Sequence, residues 1–130
     1  MGLLGNLFGS KNSSGKKVDD LPWIVLSSIE QIEEIKDKSK ERPQLIFKHS
    51  TTCGISRMVL NMFEQGYPLN GEQADLYFLD LHAHRDVSNK VSEMFGVLHQ
   101  SPQLLVVKNG TVTFHTSHGA IADTDLNSVV

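Results

Sequence analysis

The chain has 130 residues, 39% of them hydrophobic, enough for one modest core and too few for two domains. A net charge of −3, a pI near 6.0 and no dense basic run argue against nucleic acid and against a membrane surface as partners. No segment approaches the roughly 20 apolar residues that span a bilayer. The single cysteine excludes an internal disulfide, so a reducing cytoplasm is the expected setting.

Residues 1–18 are rich in Gly, Ser, Asn and Lys without periodicity, and are expected to form a disordered leader ahead of one domain over residues 19–130. The opening MGLLGNLFGS lacks the basic start and longer apolar core of a signal peptide, and Asn6 stands where a myristoylation motif wants Ser or Thr. Residues 23–26 read as a short edge strand. Ser28 with Gln31 predicts a capping-box helix start, with Ile29, Ile32 and Ile35 on one face and Pro43 closing the helix. QLIFK, residues 44–48, reads as a buried strand that ends at His49.

From Cys53 onward, Ile55, Met58, Val59, Met62 and Phe63 follow the spacing of an amphipathic helix, stopped by Gly66 and Pro68. DLYFLDL, residues 75–81, predicts a second buried strand. Val87, Val91, Met94 and Phe95 then mark a helix, with Asp86 as its expected N-cap and Gly96 as its stop. QLLVVK and TVTFHT flank Asn109-Gly110, a strong hairpin signal, and a last helix is expected near residues 123–129. Alternating strands and helices demand parallel pairing, whereas the hairpin adds antiparallel strands. The predicted class is therefore α/β and thioredoxin-like, a central mixed sheet of four or five strands with helices on both faces.

The lone thiol sits between a strand and a helix, in the stretch HSTTCGIS. Ser50, Thr51 and Thr52 are each able to cap that helix, which would leave Cys53 in the first turn, where unpaired N–H groups and the macrodipole favour a thiolate. Lys48, His49 and Arg57 would add positive potential. A single cysteine also has a bland reading, as a small buried apolar residue. Its placement argues instead for exposure, Gly54 keeps the approach of a disulfide open, and Ser56 stands where a second cysteine would complete Cys-x-x-Cys. Ser101-Pro102, just before a strand, is ordinary for proline, which has no donor to lose there. In a thioredoxin-like fold a cis proline at that point lies beside the nucleophile and leaves the preceding backbone free to pair with substrate.

The segments IFKHSTTCGIS, YFLDLHAHRDVSN, HQSPQLLVVKNG and the later TSH together resemble the thioredoxin-like YtxJ family, the monothiol bacilliredoxins, over about residues 23–125. The resemblance implies that Cys53 is the redox-active cysteine within the motif Thr52, Gly54, Ile55 and Ser56, that Ser56 replaces the resolving thiol, and that Pro102 is the cis proline. It further implies thiol-disulfide exchange on S-bacillithiolated proteins, with bacillithiol as co-substrate and no resident cofactor. Gly54 departs from the family, where proline is common. Because bacillithiol carries malate carboxylates, Lys48, Arg57 and Arg85 are candidate cations for it, with His49, Ser101 and Pro102 completing the substrate-binding set. No metal is expected: His82 and His84 have no Cys or acidic cluster beside them.

Two other function classes remain open in the sequence. A monothiol glutaredoxin binding glutathione or an iron-sulfur cluster has a similar motif, but Ile55 replaces its phenylalanine, Ser101 its usual valine, and no later Gly-Gly pair follows. The third class is a thioredoxin-like interaction protein whose Cys53 is modified without turnover.

Overall fold

A computed structural model describes residues 21–130, so the leader expected over residues 1–18 lies outside the described residues. The elements in chain order are β1 (Trp23–Val25), α1 (Glu30–Lys38), β2 (Gln44–His49), α2 (Gly54–Gly66), β3 (Asp75–Asp80), α3 (Arg85–Phe95), β4 (Gln103–Lys108), β5 (Thr111–Ser117), a 3-10 turn (His118–Ile121) and α4 (Leu126–Val129). They build one five-stranded sheet in the order β1-β3-β2-β4-β5. Strands β1, β3 and β2 run parallel, and β4 and β5 are antiparallel to their neighbours, so the sheet is mixed.

Period-two alternation divides the core into two layers. From β2, Leu45 and Phe47 pack with Val59, Leu60 and Phe63 of α2 and Leu126 of α4. Ile46 points to the other side, where Ile32 and Ile35 of α1 and Val87 and Val91 of α3 cover the sheet. Each fully buried Leu, Ile or Phe side chain contributes roughly 1.5–3 kcal/mol. Between β4 and β5, Asn109 and Gly110 take φ of 52° and 84°, the left-handed pair that a two-residue hairpin turn requires.

Local signals fail in four places. Gln31 Oε1 reaches back to the Ser27 and Ser28 backbone N–H groups, but α1 has Ile29 as N-cap without a side-chain cap, so only half of the predicted capping box forms. Helix α3 starts after His84 rather than after Asp86, which lies inside the first turn. The predicted last helix is shorter, since a 3-10 turn precedes it and Asp125 is its N-cap. Helix α2 buries Ser56, Val59, Leu60, Phe63 and Glu64, leaving Ile55, Met58 and Met62 exposed. Apolar side chains cover so much of this helix that spacing alone did not choose the buried stripe, which the fit against β2 decides.

Candidate active site

Register alone brings four connections to one end of the sheet. His49 pairs with Asp80 in the parallel β2/β3 ladder, Lys48 pairs with Gln103 across β2 and β4, and Gln103 pairs with Ser117 across β4 and β5. Hence the thiol loop after His49, the turn after Asp80, the Ser101-Pro102 segment before Gln103 and the turn after Ser117 all leave the sheet together. Sites of open α/β sheets gather beyond the carboxyl ends of the parallel strands.

Cys53 is half-buried at the start of α2. With φ −110° and ψ 120° it is itself the N-cap, so the expected capping by Ser50, Thr51 or Thr52 does not occur. Its N–H donates to the Ser50 carbonyl at 3.3 Å, and its carbonyl accepts from Arg57 N–H at 3.2 Å, which makes the first turn of the helix. The sulfur therefore stands at the positive end of the helix dipole, where an anion is favoured. Gly54 and Ile55 are exposed, and a Cβ added at Gly54 would meet nothing within 4 Å, so that approach to the thiol is open.

Ser56, three residues on, is fully buried. Its Oγ lies 2.8 Å from His49 Nδ1 and accepts from the Ser50 N–H at 3.1 Å. The arrangement that satisfies all three groups has Ser56 donating to a neutral imidazole. His49 is buried against the Phe78 ring, with centroids 5.6 Å apart. Burial pushes the imidazole below its ordinary range, the Asp80 carboxylate pulls it back, and the charges of Arg57 and His82 reinforce the lowering.

A second imidazole ties the neighbouring turn to the thiol loop. His82 Nε2 lies 2.9 Å from Ser50 Oγ and 3.1 Å from Thr52 Oγ1, and Arg85 Nη2 lies 3.3 Å from His82 Nδ1. Arg57 Nη2 donates to the Thr51 carbonyl at 3.3 Å. Arg57 and Arg85 thus both reach the rim of the thiol loop. From the sequence, His82 has no role beyond that of an unsupported metal ligand. It stands instead in the β3–α3 turn, and no local spacing pairs it with Ser50 and Thr52, 32 and 30 residues away.

Lys48 does not belong to this group. Strand alternation sends it to the face opposite His49, where its fully buried Nζ contacts the Ser88 carbonyl (3.1 Å), Ser92 Oγ (3.1 Å) and His99 Nδ1 (3.3 Å). Its expected place beside the thiol is therefore corrected: it stands under α3. Desolvation lowers the ammonium from 10.5 to about 8, and burial, then the Lys48 charge, then Arg85 lower His99.

The Ser101-Pro102 peptide bond is cis. Pro102 is buried and its carbonyl accepts from His118 N–H at 3.0 Å, while Ser101 Oγ is buried without a hydrogen-bond partner.

A mixed sheet carrying one cysteine at the head of α2, with a cis proline at the same end, defines a thioredoxin-fold thiol-disulfide oxidoreductase. Within that class, the family described as monothiol bacilliredoxin BrxC matches residues 24–126, and the chain belongs to it. A solved structure described as a putative oxidoreductase with a thioredoxin fold is 31% identical, with a TM-score of 0.70, over 83% of this chain and 93% of that one. Thioredoxin from Malassezia sympodialis is 17% identical, with a TM-score of 0.65, over 93% of this chain and 94% of its own. Schistosoma mansoni thioredoxin pre-protein, 16% identical, gives a TM-score of 0.64 over 85% of this chain and 100% of its own. The last two likenesses concern the fold alone. This protein is a monothiol redox enzyme acting on thiol-modified proteins. Among the described residues no helix is long and apolar enough to cross a membrane.

Proposed function

We propose that this protein removes bacillithiol from protein mixed disulfides in a reducing cytoplasm. Cys53 thiolate attacks the bacillithiol sulfur, the mixed disulfide breaks, and the protein leaves as a thiolate that takes a proton from solvent. Cys53 then carries bacillithiol. Because the chain has no other cysteine, a second bacillithiol thiolate attacks the bacillithiol sulfur of the adduct, releasing Cys53 thiolate and bacillithiol disulfide. Electrons balance: one free bacillithiol thiol is consumed and joins the bacillithiol already held in the mixed disulfide, giving one bacillithiol disulfide for each protein thiol restored. No resident cofactor takes part.

The observation that carries this reading is the pairing of an accessible Cys53 with a fully buried hydroxyl, Ser56, where a resolving thiol would otherwise sit. Arg57 and Arg85 on the rim suit the malate carboxylates of bacillithiol, with His82 setting the direction of Arg85. Ser101 and Pro102 offer the backbone that an extended substrate would pair with, and His49 acts through Ser56.

The deciding experiment exposes the protein separately to oxidised bacillithiol and oxidised glutathione and reads the adduct on Cys53 by mass spectrometry. It then follows release of each thiol from a modified protein by wild type and Cys53→Ser. Bacillithiol release by wild type alone is expected. Preference for glutathione, or a brown protein with visible absorption, would favour a glutaredoxin-like function. Equal inactivity of both forms with retained partner binding would favour an interaction protein.

A further inference from the structure

Two non-glycine residues among those described have a left-handed backbone, Asn109 and His118. Asn109 belongs to a hairpin turn that demands this geometry, followed by Gly110. His118, with φ 57°, has no such reason: it opens the 3-10 turn after β5, where glycine would adopt the same φ without a Cβ penalty. Strained backbone of this kind persists where surrounding contacts hold it, and it gathers at functional sites.

Those contacts all point to the thiol end of the sheet. His118 N–H donates to the carbonyl of cis Pro102 at 3.0 Å, Ser117 pairs with Gln103, and the 3-10 turn packs on α2, the helix that Cys53 caps. The imidazole itself is exposed. One residue before Pro102, Ser101 Oγ is buried with no partner, an unused donor and acceptor on the same rim. The cations Arg57 and Arg85 lie in the first turns of α2 and α3, not in the 3-10 turn that His118 opens.

We propose that His118 is a specificity-determining residue whose imidazole contacts the polypeptide segment flanking the mixed disulfide when that segment pairs with the backbone at Ser101. It rests on the thiol-exchange reading above. The partner is an extended polypeptide, and small disulfides that lack one do not use the contact.

The test compares wild type, His118→Gly and His118→Asn on four substrates: one cysteine peptide carrying bacillithiol, the same peptide carrying glutathione, oxidised glutathione, and oxidised 2-mercaptoethanol. Melting temperature is read alongside. His118→Gly is expected to keep or raise the melting temperature, to lose about ten-fold in rate on both peptides, the worth of one hydrogen bond, and to keep wild-type rates on the two small disulfides. His118→Asn, which tolerates the left-handed backbone, should show the same split. Equal losses on all four substrates, a lowered melting temperature with uniform loss, or unchanged peptide rates would each overturn the inference. A wild type that releases glutathione and not bacillithiol would overturn the bacillithiol assignment, and the glutathionylated peptide would still decide His118. Reaction with the small disulfides and neither peptide would sink both.

Discussion

His49 Nδ1 and Ser56 Oγ lie 2.8 Å apart, joining the last residue of β2 to the first turn of α2 beneath the only cysteine. The hydroxyl also holds the Ser50 N–H, so this contact sets the shape of the loop carrying Cys53.

Replacing Ser56 by Ala leaves a buried imidazole nitrogen and a buried N–H without their shared partner, and is expected to cost about 1–3 kcal/mol. Urea unfolding measures the loss. Ser56→Cys restores a second thiol three residues after Cys53. The variant should lose two mass units on mild oxidation and expel bacillithiol from its Cys53 adduct without a second low-molecular-weight thiol. Persistence of the mixed adduct in that variant would mean that the buried side chain at position 56 does not reach Cys53.

Acid should destabilise the protein from about pH 6.5 downward. His49 and His99 both titrate below their ordinary range in the folded state, chiefly through burial, so the unfolded chain binds more protons once the pH falls below 6.5. Their contribution is complete above that pH and is lost as pH falls through the folded values. His49→Asn, which keeps a polar group near Ser56, should flatten part of the decline in urea midpoint between pH 7 and pH 5. An unchanged slope would remove His49 from this account.

Lys48 has the opposite range. Its folded value of about 8 lies below the ordinary 10.5, so between these values the unfolded chain holds more protons and stability rises with pH. Below pH 8 the buried ammonium is charged in both states and its desolvation cost is constant. Wild type should therefore gain stability relative to Lys48→Met as pH increases from 8 to 10, read as urea midpoints at each pH. A constant difference would show that the ammonium is better solvated than its burial implies. Tyr67 and Tyr77, raised to about 12, remain protonated in the folded state over this range.

Charge on the rim is tested by Arg57→Ala and Arg85→Ala. Both arginines are exposed, so stability should change by less than about 0.5 kcal/mol. Each variant should react several-fold more slowly with bacillithiol disulfide at low salt and with weaker salt dependence, while its rate on uncharged 2-hydroxyethyl disulfide stays at the wild-type value. Equal slowing on both disulfides would mean that the arginines act on the thiol rather than on carboxylates.

Local pattern by itself determined much of this protein. Strand-helix alternation, the Asn109-Gly110 hairpin and the helix that follows the thiol loop are written in residue spacing, because apolar periodicity and turn chemistry act within a few residues. The single cysteine, with serine in place of a second, forces an external resolving thiol on any exchange cycle. Tertiary structure alone decided which side chains join the site. Alternation separates Lys48 from His49, but only the packing of α2 on one face and α3 on the other sends His49 to Ser56 and Lys48 to His99. His82 reaches Ser50 and Thr52, and His118 reaches Pro102, across sheet registers that no short-range signal encodes. Those contacts depend on how strands distant in sequence align, and alignment is settled when both faces of the sheet bury their apolar rows at once.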